Sequence, residues 1–289
     1  MNNRLPSWFR QELPGEEARK ISRLFSKLCV HTVCREARCP NINLCFKNKK
    51  ATFLILGNVC TRGCRFCSIT KHDGRPLTVD TGEPLRVAEA IKLLGLDYAV
   101  ITSVTRDDLS DGGAELFAQT LEQIRRLNNS SVKIEVLIPD FNGNEESIKK
   151  VVRASPDLIG HNIETVKRLY PELRPRADYW RSLDLLRQVK LLGPGIPTKS
   201  SLMLGMGETE EEVIEVMKDL RRSLCDCLYL GQYLAPSLNH YPVKEFLCLE
   251  QFEEYRITAL NMGFKALLCA PLVRSSYRAE IVYRELENV

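Results

Sequence analysis

Cysteine placement constrains this chain more than any other feature of its sequence. Seven of the eleven cysteines lie between Cys29 and Cys67, and the other four are scattered through the carboxyl-terminal third of the 289 residues. An odd number of thiols argues against a framework of paired disulfides. A dense run of thiols in a reducing compartment indicates metal binding instead.

The charge balance favours neither nucleic acid nor membrane as a partner. Lys and Arg number 41 against 37 Asp and Glu, which leaves a net charge of +4. That charge is small for a nucleic-acid surface, although it is compatible with an acidic protein partner. No apolar run approaches the roughly 18 residues that a membrane-spanning helix needs, and residues 1–17 lack a secretory pattern. We therefore expect a cytoplasmic protein that binds neither nucleic acid nor membrane.

Beyond residue 50, short apolar runs of β type alternate with helical patterns, which predicts an α/β fold. Strands are expected at 52–57, 97–103, 132–138, 157–163, 198–204 and 227–232. Helices are expected at 84–94, 114–127, 145–154, 178–192, 210–222 and 250–261, with an apolar strand or loop at 264–270. Repeated β-α units imply a parallel sheet with helices outside, here a partial parallel (β/α)6 barrel. Chemistry in such folds lies at the carboxyl ends of the strands, and the first strand runs into Cys60 there.

The first thiol cluster, here called the loop triad, consists of Cys60, Cys64 and Cys67 in a CxxxCxxC loop. Three thiolates at this spacing can hold three irons of a [4Fe–4S] cube and leave the fourth iron open. An open iron can chelate S-adenosylmethionine, whose one-electron cleavage gives a radical that abstracts hydrogen from unactivated carbon. Zinc is the alternative, but structural zinc normally takes four protein ligands. We expect the iron–sulfur cluster.

The second thiol cluster, here called the amino-terminal triad, consists of Cys34, Cys39 and Cys45 with the spacing CxxxxCxxxxxC. It too offers three thiols, which are too few to close a tetrahedral zinc site. Two interpretations stay open on spacing alone. Either zinc borrows Cys29 or His31 as a fourth ligand, or a second [4Fe–4S] cluster takes one distant ligand that is not cysteine.

The order of these motifs resembles the lipoyl synthase family of radical S-adenosylmethionine (radical SAM) enzymes. The chain carries CxxxxCxxxxxC, then CxxxCxxC, then RSSY at 274–277. The resemblance continues in HTVC (31–34), ARCPNI (37–42), ITSV (101–104), RDDL (106–109), DGG (111–113), HNIETV (161–166), MLGMGE (203–208) and GQYL (231–234). Departures from the family pattern at Arg35, Thr105, Ser201 and Cys269-Ala270 leave every predicted cluster ligand in place.

The resemblance implies a reaction as well as a barrel of radical SAM type. A lipoyl synthase inserts sulfur at C6 and C8 of an octanoyl chain attached to a lysine of a lipoyl carrier domain. It consumes two molecules of S-adenosylmethionine and sacrifices an auxiliary [4Fe–4S] cluster, here on the amino-terminal triad, as the sulfur donor. A serine of the RSSY motif is the fourth ligand of that cluster, and its position favours Ser276 over Ser275. Oxygen is a poorer iron ligand than thiolate sulfur, which suits an iron that must be released.

The resemblance also implies residues that contact S-adenosylmethionine. Phe66 matches an aromatic residue whose backbone borders the adenine in this superfamily. The other candidates fall at predicted strand ends: Thr102, Ser103, Asn162, Glu164, Met203, Gly205 and Gln232. A turn or helix-cap role is an equal alternative for Asn162 and Glu164, and Gln232 is open in the same way. The GMG run at 205–207 lacks the third glycine of a dinucleotide fingerprint, so a Rossmann cofactor is not expected.

Domain limits and partners follow from the same resemblance. Residues 1–50 are expected to form an amino-terminal extension, 51–235 the radical SAM core and 236–289 a carboxyl-terminal extension. The two extensions are expected to fold together over the barrel rim, beside a mostly apolar cavity. The expected partners are octanoylated carrier domains, on 2-oxo acid dehydrogenase acyltransferase subunits and the glycine cleavage H protein, and a reductant such as ferredoxin or flavodoxin.

Several residues have a structural interpretation that competes with a functional one. Lys199 and Arg174 could meet a carboxylate or the carrier surface, but solvated surface charge is the expectation for both. Asp107, Asp108 and Asp111 are expected to cap a helix or form a turn. Two rival functions are kept: a methylthiotransferase acting on tRNA or ribosomal protein, and a protein that uses metal only as a structural staple. The modest net charge counts against tRNA.

Overall fold

A computed structural model of the chain describes residues 6–9, 13, 15–128 and 131–287. Residues 1–5, 10–12 and 14 of the predicted amino-terminal extension lie outside that description, as do residues 129–130 and 288–289. The strands, in chain order, are β1 (His31–Thr32), β2 (Thr52–Ile55), β3 (Val59–Cys60), β4 (Thr70–Lys71), β5 (Tyr98–Ser103), β6 (Lys133–Leu137), β7 (Leu158–Gly160), β8 (Thr198–Leu204), β9 (Cys227–Gln232) and β10 (Ala266–Cys269).

Most of these strands belong to one open sheet with the order β1-β2-β5-β6-β7-β8-β9-β10, while β3 and β4 form a separate pair. β1 is antiparallel to β2, whereas the other neighbours in the large sheet are parallel. All six predicted strands are present among the described residues, and β10 adds a further parallel strand from the apolar run 264–270. The predicted α/β fold with a partial parallel barrel is confirmed.

Helices cover the outer face of the sheet and form much of the two extensions. They are α1 (Glu16–Lys27), α2 (Val33–Glu36), α3 (Ile42–Lys47), α4 (Glu83–Leu94), α5 (Ala114–Leu127), α6 (Glu145–Arg153), α7 (Tyr170–Leu173), α8 (Tyr179–Leu192), α9 (Glu210–Arg222), α10 (Leu249–Asn261) and α11 (Ala279–Glu287). Short 3-10 turns occur at Ser7–Phe9, Phe141–Gly143 and Lys167–Leu169. None of the described helices is both long enough and apolar enough to cross a membrane.

The start of α9 shows how local sequence specifies these helices. The Thr209 hydroxyl accepts from Glu212 N at 3.3 Å, and the Glu212 carboxylate accepts from Thr209 N at 2.9 Å. This reciprocal cap satisfies backbone donors that the first helical turn leaves unpaired. Apolar residues then recur at helical spacing and are buried against the sheet: Val213, Val216, Met217 and Leu220.

Alternation along each strand separates the helix-covered face from the barrel interior. On β6, Ile134 and Val136 pack with the outer helices, so Glu135 between them faces the interior. A different apolar cluster fills the interior near the amino ends of the strands. It includes Tyr98, Val100, Leu158, Cys227, Tyr229 and Val273, together with part of α11.

An ion pair lies inside the barrel, where we expected mostly apolar side chains. Lys199 on β8 pairs with Glu135, and both side chains are 1% exposed. Tyr98 donates to the second oxygen of Glu135 at 2.8 Å, and Lys199 Nζ lies 4.6 Å from the centre of the Tyr229 ring. The prediction that Lys199 is a solvated surface charge is therefore wrong. Charged side chains are rarely buried this deeply unless they are paired, as here.

The carboxyl-terminal extension runs from one end of the barrel to the other. It begins at the carboxyl rim, where Gln232 N donates to Pro271 O at 3.1 Å. It ends in α11 at the amino ends of the strands, where the Tyr283 ring lies 5.5 Å from the Tyr98 ring and Tyr283 Oη accepts from Lys133 at 3.3 Å. The extension therefore does not only cover the rim, as we expected, but also closes the opposite end.

Candidate active site

The loop triad is held in a loop that is closed at its base. Cys60 ends β3 and pairs with Lys71 of β4, and His72 N donates to Cys60 O at 2.9 Å. Within the loop, Cys67 N donates to Cys64 O at 3.2 Å. Burial raises the pKa of the Cys67 thiol to about 12, and the neighbouring thiols of Cys64 and Cys60 add to the rise. The fold thus brings the three predicted ligands into one partly buried neighbourhood.

Arg62, inside the same loop, ties the loop to two neighbouring strands. Its guanidinium donates to both oxygens of Asp107, beyond β5, at 2.8 and 2.9 Å. It also donates to both oxygens of Asp140, beyond β6, at 3.0 and 2.6 Å. The side chains of Arg62 and Asp140 are 5% and 1% exposed, so these are buried charge-assisted bonds. Burial alone would raise the pKa of Asp140, but its contacts with Arg62 hold it at about 2.

The acidic residues at 107–111 divide into three roles. Asp107 binds Arg62, and Asp108 pairs with Arg106 at 2.7 Å. Asp111 accepts from two backbone N–H groups at the start of α5, at 2.9 and 2.8 Å. The predicted cap and turn role is confirmed: Asp111 caps α5, and Asp107 and Asp108 lie in a turn that is closed where Leu109 N donates to Arg106 O at 3.0 Å.

Arg174 and Glu164 lie next to the loop triad. Arg174 donates to the carbonyl oxygens of Asn162 and Ile163, at 3.3 and 3.1 Å, just past the end of β7. Burial raises the pKa of the Cys64 thiol, and the positive charge of Arg174 lowers it. Burial likewise raises the pKa of Glu164, again opposed by the charge of Arg174. The prediction that Arg174 is a solvated surface charge is therefore wrong, because it is a partly buried cation beside the thiols.

Glu164 has an unusual backbone conformation for a residue other than glycine. Its φ of 67° lies in the left-handed region, which costs free energy. Backbone bonds to the end of β8 hold it there: Glu164 N donates to Ser201 O at 2.9 Å, and Met203 N donates to Glu164 O at 3.0 Å. The Asn162 amide donates to the Glu164 carboxylate at 3.0 Å. Strained residues held in this way cluster at functional sites, which favours the functional interpretation over a simple turn.

The surroundings of the other predicted cofactor contacts give less support to a role in binding the cofactor. Thr102 donates to Leu137 O at 2.7 Å. Phe66 and Met203 are partly buried against an apolar cluster that includes Ile163 and Leu204. Gln232 is fully buried, and its amide binds three backbone carbonyls and one backbone N–H. Its contact with a cofactor stays a prediction, and the structure leaves that amide no free N–H.

Gly205 is required by the backbone at its position. Its φ is 94°, and a Cβ there would collide with the Gln232 amide nitrogen and the Glu245 carbonyl oxygen. The Glu208 carboxylate accepts from Gly205 N and, at 2.9 Å, from Met206 N. This packing explains the glycine without a cofactor, so its predicted contact also stays a prediction.

Buried polar atoms without a partner gather near the same strand ends. Among the described residues, they include Ser103 Oγ, His161 Nε2, Asn162 Oδ1 and Arg174 Nε. Burial lowers the pKa of His161 to about 4, so its ring is neutral at pH 7. Buried polar groups are normally hydrogen-bonded, so this group of donors and acceptors fits a polar ligand. S-adenosylmethionine carries amino, carboxylate, hydroxyl and adenine groups that can pair with them.

The amino-terminal triad lines one cavity together with the RSSY segment. Its three cysteines share the cavity wall with Thr52, Tyr98, Arg274 and Ser276. Thr52 and Tyr98 are the first residues of β2 and β5, so the cavity lies at the amino ends of these strands. Asn41, between the second and third cysteines, donates to Leu272 O at 2.7 Å and links the two extensions.

Burial controls the ionisation of these thiols. It raises the pKa of Cys34 and of Cys45 to about 12, and it raises the pKa of Cys39 against the charge of Arg274. Such thiols are neutral at pH 7, whereas metal ligands are thiolates, so binding iron here must release protons. A wall that offers three thiols suits iron, since soft thiolate ligands favour iron–sulfur clusters.

No three His, Cys, Asp or Glu side chains within the described ranges converge closely enough to hold one metal ion. A [4Fe–4S] cube needs no such convergence, because each thiolate binds a different iron. The cavity wall therefore fits a cube in its ligand types, with the serine as the ligand that is not cysteine.

Ser276 is the serine of the RSSY segment that lines the cavity of the amino-terminal triad. Thr52 donates to Ser276 Oγ at 2.6 Å. Ser276 lines the cavity, whereas Ser275 is absent from the described residues that line it. This placement favours Ser276 over Ser275 as the predicted ligand.

Sequence reasoning missed three residues of these sites. Arg62 was passed over between two cysteines, although an arginine in a ligand loop with two aspartates beyond later strands is a usable signal. Arg274 is marked in the sequence only as the first residue of the RSSY motif, and nothing in the sequence marks Thr52 as the hydroxyl partner of Ser276. Their roles become visible only when residues far apart in the chain meet.

Known proteins share this architecture. The Radical SAM superfamily model matches residues 54–220. The crystal structure of methylornithine synthase, 16% identical, superposes with a TM-score of 0.55 over 87% of this chain and 70% of that chain. At that identity the likeness shows the fold alone.

Sequence relatives are much more similar. A lipoyl synthase from Caldicellulosiruptor saccharolyticus is 54% identical over 281 residues, which cover 97% of this chain and 98% of the relative. A lipoyl synthase from Caldanaerobacter subterraneus subsp. tengcongensis is 52% identical, with the same two coverages. Identity at this level over nearly the full length of both proteins shows that the chain belongs to the lipoyl synthase family of radical SAM enzymes.

Proposed function

We propose that this radical SAM sulfurtransferase inserts two sulfur atoms, at C6 and C8, into an octanoyl chain bound to a lysine of a lipoyl carrier domain. The observation that supports this most is the position of two thiol triads at opposite ends of one strand. The loop triad follows the carboxyl end of β2, and the cavity of the amino-terminal triad lies at its amino end. Four residues of β2 span roughly 10 Å, so an acyl chain inside the barrel can face both sites.

The two triads would each hold a [4Fe–4S] cluster, with different roles. The loop triad would carry a [4Fe–4S] cluster with one iron left for S-adenosylmethionine, and the amino-terminal triad with Ser276 a second [4Fe–4S] cluster. When bound, the first cluster and S-adenosylmethionine supply a hydrogen-abstracting radical, and the second cluster supplies sulfur. A second cluster is what separates this proposal from radical SAM chemistry in general.

The chain's own residues bind and orient S-adenosylmethionine beside the loop triad. Arg174 offers a positive charge and a free Nε–H to the carboxylate of the ligand. The Glu164 carboxylate offers an acceptor to its amino group, and Ser103 and Asn162 bring unpaired polar atoms. The remaining proposed contacts surround the adenosyl group: Phe66, Thr102, Met203, Gly205 and Gln232.

Arg62 is proposed to fix the geometry of the loop triad without touching the cofactor. Its four short bonds to Asp107 and Asp140 fasten the loop to β5 and β6. A rigid loop keeps the open iron at a constant place, and small displacements of a reacting centre lower rates sharply.

Ser276 is proposed to be the weakest of the four ligands of the auxiliary cluster. Its oxygen is a weaker partner for iron than the three thiolates, and Thr52 already donates a hydrogen bond to it. A hydrogen bond to the alkoxide stabilises its charge and weakens its bond to iron. Ser276 would therefore be the most weakly bound ligand of a cluster that the three thiolates hold more firmly.

The proposed partners are lipoyl carrier domains and a small electron-transfer protein. The carriers served are acyltransferase subunits of 2-oxo acid dehydrogenases and the glycine cleavage H protein, with electrons from ferredoxin or flavodoxin, in the cytoplasm. The chain divides into an extension at 1–50, a core at 51–235 and an extension at 236–289. The bond from Asn41 to Leu272 supports a shared role for the two extensions.

The test is incubation of the anaerobically reconstituted enzyme with an octanoyl-lysine peptide, S-adenosylmethionine and dithionite, followed by mass spectrometry. We expect a peptide that has gained two sulfurs and an enzyme that starts with about eight irons. The matched control changes Cys34, Cys39 and Cys45 to alanine. It should keep S-adenosylmethionine cleavage and lose sulfur insertion.

Other outcomes would assign one of the rival functions. Transfer of a methylthio group to RNA or ribosomal protein would indicate a methylthiotransferase. Unmodified peptide from an enzyme that carries both clusters but cleaves no S-adenosylmethionine would indicate a structural metal protein.

A further inference from the structure

Arg274 is a cation in the cavity of the amino-terminal triad that has no anionic partner. Arg274 lines the cavity together with the three cysteines, and its positive charge acts on the Cys39 thiol, whose pKa burial raises and this charge lowers. Its hydrogen bond, at 2.6 Å, goes to the carbonyl of its own neighbour, Val273. In the part of the chain that the structure describes, no carboxylate lies within ion-pair distance of it. A desolvated charge without a counter-charge is costly, so the protein must gain something by placing it there.

The other charges of the cavity wall already balance each other. Lys50 and Glu280, the other two charged residues of the wall, pair with each other at 3.3 Å. Arg274 is therefore the cation that is left over at this wall. The guanidinium also lies close to β9, since Arg274 Nη1 is 3.4 Å from where a Cβ on Gly231 would stand. Packing against a strand holds the charge in place and keeps it from turning to solvent.

The missing anion follows from the proposed function, on which this inference rests. Three thiolates and one alkoxide around an oxidised [4Fe–4S] core leave a net charge of about −2. We propose that Arg274 is the counter-charge of this auxiliary cluster, so that it stabilises the cluster's bound state and raises its reduction potential. It is a positioning residue, because it acts through the cluster and not on the substrate.

The sign of the effect is fixed by electrostatics. Reduction adds negative charge to the cluster, and a fixed positive charge nearby makes that addition easier. Removing the charge must therefore shift the reduction potential to a more negative value. A residue that served packing alone would leave the potential unchanged when its charge is removed.

The test measures the auxiliary cluster by itself in the full-length chain. Cys60, Cys64 and Cys67 are changed to alanine, and the remaining cluster is titrated with reductant and followed by electron paramagnetic resonance. Iron and sulfide are counted for each preparation. The variants are Arg274→Gln, which removes the charge, and Arg274→Lys, which keeps it. Arg278→Gln, which removes an exposed arginine from the same segment, is the matched control.

We expect a more negative potential in Arg274→Gln, a potential nearer the parent in Arg274→Lys, and no shift in Arg278→Gln. Loss of the cluster from Arg274→Gln alone, with iron retained in Arg274→Lys, would support the same conclusion. An unchanged potential with full iron in Arg274→Gln would overturn the inference, as would loss of iron from both Arg274 variants. A parent chain that binds no cluster at this site would instead overturn the proposed function.

Discussion

Thr52 and Ser276, 224 positions apart in the chain, share a hydrogen bond of 2.6 Å beside the amino-terminal triad. The bond joins the first residue of β2 to the RSSY segment, so the barrel itself positions the serine. This fixed oxygen leads to the first prediction. Ser276→Cys should bind both clusters yet lose most sulfur insertion, because a thiolate holds iron more firmly than an alkoxide.

The measurement combines iron analysis with mass spectrometry of the octanoyl-lysine peptide. Ser275→Cys is the matched control, since Ser275 is absent from the described cavity wall. It should insert sulfur at nearly the parent rate. Full activity in Ser276→Cys together with inactivity in Ser275→Cys would reverse our assignment of the ligand.

Arg62→Gln should destabilise the protein and slow S-adenosylmethionine cleavage. The substitution removes the closer of two cations from Asp140, whose side chain is 1% exposed, and leaves only the longer contact with Arg181 at 3.4 Å. Breaking a buried pair in this way costs about 3–5 kcal/mol of unfolding free energy. Arg65→Gln is the control, because Arg65 is half exposed and its pair with Glu172 is worth at most about 1 kcal/mol. The free energies of unfolding of the two variants, both with their clusters bound, are compared by thermal unfolding. Equal losses of stability in the two variants would contradict the prediction.

The same ion pair makes stability depend on acidity. The pKa of Asp140 is about 2 in the folded state, below the roughly 3.9 of an unfolded aspartate. Its contribution is therefore complete above pH 4 and is lost as the pH falls from about 4 toward 2. Arg62→Gln should flatten the stability profile in this window. If the unfolding free energies of the parent and of Arg62→Gln change in parallel between pH 4 and 2, the Arg62–Asp140 pair is not the source of the pH dependence.

The fold was largely predictable because its signals are local. Each predicted strand is a short apolar run, and the loop triad is recognised from spacing within eight residues. The contacts of Arg62 could not be predicted in this way, because its two partners lie 45 and 78 positions away. The path of the carboxyl-terminal extension was missed for the same reason, since nothing local indicates that α11 packs at the amino ends of the strands.

Lys199 shows a second limit of sequence reasoning. A lysine is usually solvated, and only the register of β8 places this one inside the barrel. Lys199 pairs with Gly160 on β7 and with Cys227 on β9, both interior positions. Its partner Glu135 is 64 positions away on β6. Neither charge is interpretable alone, but together they form a neutral pair.

That pair gives a prediction about stability. Lys199→Met should lower the unfolding free energy by about 3–5 kcal/mol, because Glu135 is left buried and uncompensated. Adding Glu135→Gln should recover most of the loss, since the double variant carries no unpaired charge. A double-mutant cycle of thermal unfolding measures the coupling. If the double variant is less stable than Lys199→Met, the two charges do not act as a pair.

Gly205 and Gly207 allow backbone strain to be separated from steric collision. Both have φ near 100°, at 94° and 100°, so alanine strains either position by about 1–2 kcal/mol. At Gly207 a Cβ meets nothing nearer than Lys244 Cγ, at 3.5 Å. At Gly205 it collides with the Gln232 amide, which would have to abandon bonds to the backbone. Gly205→Ala should therefore cost at least about 2 kcal/mol more than Gly207→Ala in thermal unfolding. Equal costs would show that Gln232 moves aside freely, and would reopen its amide for the cofactor contact that the sequence suggested.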